Sequence, residues 1–365
     1  TTVLDMPNTL PTTSTAEQVA HKRQLADRTS FCDLGVFGLL AADNLDQLGP
    51  MSAAGAIGLK CFLGQSVGDI PPPDDGTLLD GLAAAARLGL RTAFHAENGA
   101  ILARRTAQLQ SAGRDDALAH LEARPVVAEL EAIQRAALFA RHAGAAIHIL
   151  HLSSREGLAS VEAWRGAGVD VTCEVTPHHC FLTSEDVARL GPIARVNPPV
   201  REPEHAQALL QALARGSVDV IASDHAPHTA EEKLQPEIWR AASGFAGVET
   251  SLALFLTLGV HAQRLSLMQL ARLMSERPAR LWRLYPRKGT LRVGSDADLT
   301  VVDLRREWTI SSAKLHGKNN LSPWEGCRAR GMAVATVLRG RVVMRDGELV
   351  DARPAGRFVA PCRTA

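Results

Sequence analysis

Four residues whose side chains can bind a metal ion or move a proton stand at the ends of short apolar runs. They lie on four separate runs: Lys60, His95, His151 and Asp224. Imidazole and carboxylate groups are common zinc ligands. A single histidine at the end of such a run is usually structural, but four metal-capable residues on four runs favour a metal centre.

Lys60 fits this set only in an altered chemical form. A lysine amine is normally a cation and would repel a metal ion. If the amine of Lys60 is neutralised and reacts with CO₂, the resulting carbamate has two anionic oxygens. Such a carbamate would be able to bridge two metal ions.

The elements that must position these residues follow a regular alternation. Runs rich in Val, Ile, Leu and Phe predict strands, and amphipathic segments between them predict crossover helices. The strand candidates are residues 2–6, 34–40, 57–62, 91–95, 146–152, 170–175 and 218–223. The helix candidates are residues 16–27, 78–88, 126–142 and 205–214.

Seven βα units in a row predict an α/β fold, a TIM-like (β/α)8 barrel with seven of its eight units present. In such a barrel the active site lies at the C-terminal ends of the strands, where the four residues stand. After Arg280 the sequence changes to short runs with turn signals, including Arg339-Gly340. We predict a barrel over residues 1–284 and a small β-rich segment over 285–365 that packs on it.

Charge and composition narrow the class of partner. Lys and Arg total 40 against 39 Asp and Glu, so no charge excess favours nucleic acid or an anionic membrane. No run approaches the roughly 20 apolar residues that span a bilayer. The six cysteines form no CxxC pair, which favours reduced thiols in a cytoplasmic protein. A small-molecule substrate is therefore the expected partner.

An ordered set of motifs resembles the dihydroorotases of the cyclic amidohydrolase family, and the resemblance covers nearly the whole chain. The motifs are Asp5-Met6-Pro7-Asn8-Thr9, Gly58-Leu59-Lys60, His95-Ala96-Glu97, His151-Leu152-Ser153, Glu174-Val175-Thr176-Pro177-His178-His179, Val196-Asn197-Pro198-Pro199, Ser223-Asp224-His225-Ala226-Pro227-His228, Gly247-Val248-Glu249-Thr250 and Ser322-Pro323-Trp324-Glu325-Gly326. Each motif alone is weak evidence, but their order is specific.

The resemblance implies the metal ligands and the reaction. Carboxylated Lys60 would bridge two zinc ions, with His95 and His151 on the more buried one. Asp224 would bind the other ion and shuttle the proton. The implied reaction is the reversible hydrolysis of (S)-dihydroorotate to N-carbamoyl-L-aspartate in de novo pyrimidine biosynthesis.

The resemblance also implies residues that bind the substrate. Asn8 and His228 match positions that hold the substrate carboxylate, and Asn197 matches one that contacts the ring. For Asn8 the alternative is a turn residue after Pro7, and for His228 it is a hydrogen bond that orders its loop.

Other histidines are expected to have lesser roles. Alternation along a strand should point His148 and His151 to opposite faces, so we expect only His151 to reach the barrel mouth. The pair His178-His179 should be structural or support the ligands, and His225 should face away from the site.

Two features depart from the family pattern. No His-x-His-x-Arg motif, which would supply two ligands and a substrate arginine from the first strand, occurs in these 365 residues. Because the sequence starts within a strand-like run, we expect that motif in residues encoded upstream; a non-catalytic paralogue is the alternative. The loop 64–70 shows no established similarity to the family's substrate loop.

Rival functions remain at this point. Allantoinase and dihydropyrimidinase (hydantoinase) share the barrel, the lysine and the metal histidines; the Asn8-Thr9 pair, Asn197-Pro198-Pro199 and His228 favour dihydroorotase over both. A third alternative is a dihydroorotase-like scaffold that binds aspartate carbamoyltransferase. A homodimer is the expected assembly, with that enzyme as the alternative partner.

Overall fold

The computed structural model describes residues 1–65, 70–317 and 321–362. The loop 64–70 therefore lies partly outside the described residues, at positions 66–69. The first eight strands are short, and all except the half-buried β1 are mostly buried: β1 (Thr2–Asp5), β2 (Asp33–Val36), β3 (Gly38–Leu39), β4 (Leu59–Phe62), β5 (Thr92–His95), β6 (Ile147–Ile149), β7 (Val171–Val175) and β8 (Val220–Ile221).

These strands form the wall of a parallel barrel. Strand β1 pairs in parallel with β2. After Phe37, β3 begins a six-stranded sheet in the order β3-β4-β5-β6-β7-β8. Because β2 and β3 are separated only by Phe37, they occupy one strand position, and seven positions result, as the sequence predicts. The TIM-like fold is confirmed.

Helices follow the strands around the outside of the barrel. Their bounds are α1 (Ala16–Thr29), α2 (Leu48–Ala54), α3 (Asp75–Arg87), α4 (Gly99–Ser111), α5 (Ala117–Ala123), α6 (Val126–Ala143), α7 (Arg155–Gly166), α8 (Pro177–Phe181), α9 (Ser184–Leu190), α10 (Pro203–Arg215), α11 (Ala230–Lys233), α12 (Ser251–Leu254), α13 (Leu267–Ala271) and α14 (Arg277–Leu281). Short π-helices span Phe255–His261 and Arg272–Glu276, and 3₁₀ turns span Leu45–Gln47, Gly191–Ala194 and Ser312–Lys314.

Local sequence explains where several of these helices begin. The side chains of Thr15, Asp74 and Ser154 each accept a hydrogen bond from a backbone N–H in the first turn of α1, α3 and α7. Such caps satisfy N–H groups that have no partner within the helix. The predicted helix starts at 16 and 126 agree with the structure, whereas α3 and α10 begin two or three residues earlier than predicted.

Alternation along β4 separates the apolar core from the site. Leu59 and Cys61 are fully buried in the apolar layer between strands and helices. Lys60 lies between them in sequence and is close enough to Glu174 and Asp224 to interact with both charges. Because successive residues of a strand point to opposite faces, packing of Leu59 and Cys61 against the helices directs Lys60 into the barrel.

A second, antiparallel sheet follows the barrel. Its strands are β9 (Leu299–Thr309), β10 (Arg328–Leu338), β11 (Arg341–Arg345) and β12 (Glu348–Leu349), in the order β12-β11-β10-β9. Arg339 and Gly340 both have positive φ and join β10 to β11, a geometry typical of a two-residue hairpin. The β content is as predicted, but β9 begins only at Leu299. The boundary near 285 stays a prediction.

Two further sequence expectations concern the chain outside the site. All six cysteines lie within the described residues and are unpaired. In the part of the chain that the structure describes, no helix combines the length and the apolar character that a bilayer crossing requires.

A buried charge cluster links the barrel to the segment before β9. Within residues 1–65, 70–317 and 321–362, one group of three acidic side chains is close enough to hold a metal ion: Asp33, Asp296 and Asp298. The Lys288 ammonium contacts all three, at 2.9 Å from Asp296 and 2.6 Å from Asp298. The position that a metal cation would take is therefore filled by Lys288, and the cluster is an ion-pair network.

Replacing Lys288 with methionine should destabilise the protein. Lys288 and Asp33 are both buried, and loss of one partner of a buried ion pair leaves the other charge uncompensated, at a cost of about 3–5 kcal/mol. Urea unfolding should show a lower free energy of unfolding for Lys288→Met. Lys314→Met, at an exposed position, is the control and should change little. A loss below about 1 kcal/mol, the value typical of a surface pair, would contradict the role given to Lys288.

Candidate active site

The structure brings together the strand-end residues that the sequence singled out. Lys60 lies in β4, His95 ends β5, and His151 follows β6 by two residues; all three are buried. Asp224 follows β8 by three residues, and its side chain is 28% exposed. These positions lie at the C-terminal ends of parallel strands, the end at which barrel enzymes place their active sites.

His95 and His151 present ring nitrogens to one another. His95 Nδ1 lies 3.1 Å from His151 Nε2, and the two rings are nearly perpendicular. Two nitrogens bound to one tetrahedral zinc at 2.0–2.1 Å would be about 3.3 Å apart. His151 Nδ1 is buried and has no hydrogen-bond partner within the described residues. The spacing of the two nitrogens suits a shared metal ion.

Glu97 orients His95. Its carboxylate lies 2.9 Å from His95 Nε2 and also accepts hydrogen bonds from Arg124. Burial acts to raise the pKa of Glu97, but Arg124 and His95 hold that pKa well below its ordinary value. A carboxylate on one ring nitrogen fixes the tautomer and leaves the other nitrogen, here Nδ1, as the ligand.

Lys60 is placed where its amine can lose its charge. Burial lowers the pKa of Lys60, while the nearby carboxylates of Asp224 and Glu174 act in the opposite direction. A neutral amine is the form that reacts with CO₂ to give a carbamate. The environment is therefore compatible with the carboxylation proposed from the sequence.

His151 and Asp224 have unusual backbone conformations. Their φ angles are +35° and +45°, in the left-handed region that residues other than glycine rarely adopt. Both residues come just after their strands end, so the regular alternation of side chains no longer applies to them. The backbone turns at these two positions instead.

That turn makes one sequence expectation wrong. His148 was expected to face away from His151, yet Glu174 contacts both: it lies 3.1 Å from His148 Nε2 and accepts the His151 backbone N–H at 3.4 Å. Ile147 and Ile149 pack in the apolar layer against the helices, so His148 between them points into the barrel, where the ring of His151 also meets His95. The expectation that only His151 reaches the barrel mouth stays a prediction. Because β6 ends at Ile149, counting alternate positions through residue 151 fails.

Two of the remaining histidines, His179 and His225, make contacts of the structural kind that the sequence predicts. His179 bonds Thr176 and the Pro198 carbonyl, a structural arrangement. His225 Nδ1 accepts backbone N–H groups of residues 247 and 248, which directs its ring away from Asp224. His178 differs from these two because it lies beside a predicted metal ligand: its buried Nε2 is 3.9 Å from Asp224 Oδ2.

The residues expected to bind the substrate divide into two locations. Asn197 and His228 line one cavity of about 480 Å³. Asn197 Oδ1 accepts a hydrogen bond from His120 Nε2 at 2.9 Å, and His228 Nε2 lies 3.1 Å from the Ser243 carbonyl. Asn8 is not among the residues that line this cavity; it follows β1, and its Oδ1 is buried without a hydrogen bond among the described residues.

Four residues of the site were not given roles by sequence reasoning. Glu97 and Glu174 stand inside the quoted motifs, whereas Arg124 and His120 stand outside them. Glu97 and Arg124 meet across 27 residues, and His120 meets Asn197 across 77. A carboxylate two residues after a predicted histidine ligand was the signal that could have identified Glu97.

Replacing Glu97 with glutamine should weaken metal binding. The amide carries no charge to balance the imidazole, and loss of such a supporting carboxylate typically costs about 10- to 100-fold in metal affinity. Competition with a chromophoric chelator would measure the zinc dissociation constant. Glu131→Gln, in neighbouring α6 and outside the site, is the matched control. Equal zinc affinities for the Glu97 variant and the parent protein would exclude the proposed role.

The chain is similar to known proteins over nearly its whole length. A profile of the Amidohydrolase family matches residues 1–343. An allantoinase of Solibacter usitatus is 38% identical over 363 residues, 99% of this chain and 79% of that protein. An L-hydantoinase of Paenarthrobacter aurescens is 37% identical over 363 residues, 98% of this chain and 79% of that protein.

Solved structures agree with these sequence matches. L-Hydantoinase (dihydropyrimidinase) from Arthrobacter aurescens superimposes with a TM-score of 0.96 at 36% identity, over 99% of this chain and 80% of that one. D-Hydantoinase from Thermus sp. gives a TM-score of 0.93 at 29% identity, over 99% and 80%. The motif resemblance to cyclic amidohydrolases is thus supported, but its narrower assignment to dihydroorotases is not.

Proposed function

Since the chain belongs to the amidohydrolase family, we propose that it hydrolyses a ring amide in a cyclic ureide of the allantoin or hydantoin type. The observation that carries the proposal is the 3.1 Å approach of His95 Nδ1 to His151 Nε2, close to Lys60. The names of the similar allantoinase and L-hydantoinase support this choice of ring.

The donor set fits a metal centre. We propose that His95, His151, Lys60 as its carbamate and Asp224 would hold zinc, with the two histidines together on one ion and Asp224 on another. Bound zinc would polarise the ring carbonyl and lower the pKa of attacking water.

Asp224 is proposed to move the proton. Burial raises the pKa of Asp224 to about 6, while the charge of Lys60 opposes that rise. A carboxyl with a pKa near the working pH can accept a proton from attacking water and donate it to the leaving ring nitrogen. In this step a C–O bond forms at the ring carbonyl carbon, the C–N bond of the ring breaks, and the nitrogen gains the proton.

Dihydroorotate is the second candidate substrate, because Asn197 and His228 line one cavity. The motif resemblance assigns these two residues to the ring and the carboxylate of that substrate. We propose that they contact the substrate in either case, and that Asn8 contributes from the end of β1. The non-catalytic scaffold has less support, since it requires no paired imidazoles beside a buried lysine.

A substrate panel tests the proposed function. The zinc-loaded protein, expressed together with the residues encoded upstream, should hydrolyse allantoin or hydantoin with a kcat/KM at least about tenfold above that for dihydrouracil and dihydroorotate, a difference of roughly 1.4 kcal/mol in transition-state binding. Ring opening can be followed by loss of ultraviolet absorbance and by chromatography. A preference for dihydroorotate would favour the second candidate, and failure on all four rings with full zinc content would reject both.

A further inference from the structure

The cavity lined by Asn197 and His228 has basic side chains in its wall and no acidic ones among the described residues. Its described lining includes Arg124, Arg195 and His120 but no Asp or Glu. Apolar atoms from Leu102 and Trp239, among others, complete the wall. A cavity lined by cations and amide groups, with no carboxylate, is an environment that favours a negatively charged group.

Arg124 does not supply the excess positive charge. Its guanidinium donates to both carboxylate oxygens of Glu97, so this pair is close to neutral. His120 is also uncharged in this environment, because burial and then the charges of Arg124 and Arg195 lower its pKa well below the ordinary value. The uncompensated charge of the cavity therefore belongs to Arg195.

The guanidinium of Arg195 is held by hydrogen bonds to backbone carbonyl groups, which engage only one of its three nitrogen atoms. Nη1 donates to the carbonyl of Ile238, at 2.5 Å, and to that of Ala241. Nε is buried and unpartnered, and the hydrogen bonds of this guanidinium to the described residues are made by Nη1. No carboxylate in that part of the chain forms an ion pair with Arg195. A rigidly held guanidinium without an anion is prepared to bind one.

The cavity is separated from the proposed metal ligands by only one pair of side chains. Arg124 lines the cavity and bonds Glu97, and Glu97 bonds His95. Arg195 stands two residues before Asn197, which lines the same cavity. A ring bound beside His95 and His151 would therefore lie close to this cavity.

We propose that the cavity binds a carboxylate on the ring substituent of the substrate and that Arg195 is the residue that selects for it. The inference deepens the proposed function and rests on it: the preferred substrate would be a five-membered ring of the hydantoin type with an acidic side group. The guanidinium of Arg195 can donate a charge-assisted hydrogen bond to a carboxylate, and the amide of Asn197 and the ring of His228 line the same cavity.

A matched pair of substrates tests the proposal. Hydantoin-5-acetic acid and its neutral amide differ in charge but hardly in size. The parent protein should prefer the acid by about tenfold or more in kcat/KM, and Arg195→Gln should lose about ten- to a hundredfold on the acid, mainly through KM. The amide should change by less than about threefold, since a neutral group loses no charge-assisted bond.

Two further variants separate charge from structure. Arg195→Lys keeps the cation and should retain part of the preference for the acid. Arg240→Gln removes a cation from the same wall segment, but its side chain is 69% exposed and lies outside the cavity lining. This control should behave as the parent protein does. Equal losses on acid and amide for Arg195→Gln would mean that Arg195 is only structural and would overturn the proposal.

Binding of succinate and of its neutral diamide, measured by calorimetry, distinguishes failure of the inference from failure of the proposed function. Succinate should bind the parent protein and Arg195→Lys more tightly than it binds Arg195→Gln, and the diamide should bind none of them measurably. If this pattern holds while no ring is hydrolysed, the anion site stands and the proposed reaction fails. If succinate binds all variants equally, the anion site is rejected whatever the enzyme hydrolyses.

Discussion

Replacing Lys60 with alanine should abolish turnover and lower the metal content of the protein. Lys60 lies in β4, and its carbamate is proposed to bridge the two ions. Burial lowers the pKa of Lys60, which favours the neutral amine that reacts with CO₂. Without the bridge, both ions lose a ligand. We expect kcat/KM to fall by at least about a thousandfold, a loss of roughly 4 kcal/mol or more, and zinc per chain by mass spectrometry to fall with it.

The control for this variant is Lys314→Ala, which removes an exposed lysine and should leave zinc and turnover unchanged. Intact-mass measurement under conditions that preserve carbamates should also show one added CO₂ on the parent protein and none on Lys60→Ala. An unmodified Lys60 beside two fully occupied metal positions would disprove the bridging role, even if the variant were inactive.

Replacing Asp224 with asparagine should remove the proton transfer while preserving the backbone. Asparagine tolerates the left-handed conformation better than most residues, so the φ of +45° at this position need not change. General acid–base catalysis contributes about 10²- to 10⁴-fold, and we expect a loss of kcat in that range. Zinc held by His95 and His151 should remain, so about half of the metal content should persist.

Asp219→Asn is the matched control for Asp224→Asn. Asp219 stands just before β8 and pairs with Arg165 at 2.7 Å. It therefore lies at the opposite end of this strand from Asp224 and has no proposed role in catalysis. Its replacement should affect stability more than kcat. If Asp224→Asn kept more than about a tenth of the parent kcat, a loss too small for this kind of catalysis, another group would have to carry the proton.

The parts of the site that lie within regular strands could be predicted from the sequence. Lys60 and His95 are in β4 and β5, where period-two alternation and burial fix the direction of a side chain. His148 shows the limit of that reasoning, since His151 lies beyond the end of its strand and turns inward through its own backbone. No pattern of apolar residues reports a positive φ at a histidine.

Contacts between distant loops could not be predicted in the same way. The ion pair of Glu97 with Arg124 and the bond of His120 to Asn197 each depend on how two loops pack at the barrel mouth. Lys288 and Asp33 meet across 255 residues. Such pairs leave no periodic signal in one sequence, because their spacing is set by the fold.

Specificity for one ring was the least predictable property. The motif at Asn197-Pro198-Pro199 and His228 favoured dihydroorotase, whereas the similar proteins compared above are named allantoinase and hydantoinase. A barrel with the same metal ligands can accept several rings, because the cavity wall and not the ligand set contacts the part of the substrate that differs.

The positive φ angles of His151 and Asp224 bear on how this protein can be engineered. Left-handed backbone at residues other than glycine costs on the order of 1–3 kcal/mol each, so glycine at either position would relieve strain while removing a functional group. Selection for heat resistance alone would therefore favour substitutions at these positions that stabilise the fold but inactivate the site. Thermostable variants that keep activity should instead gain their stability far from the strand ends, and libraries intended to find them should hold residues 151 and 224 constant.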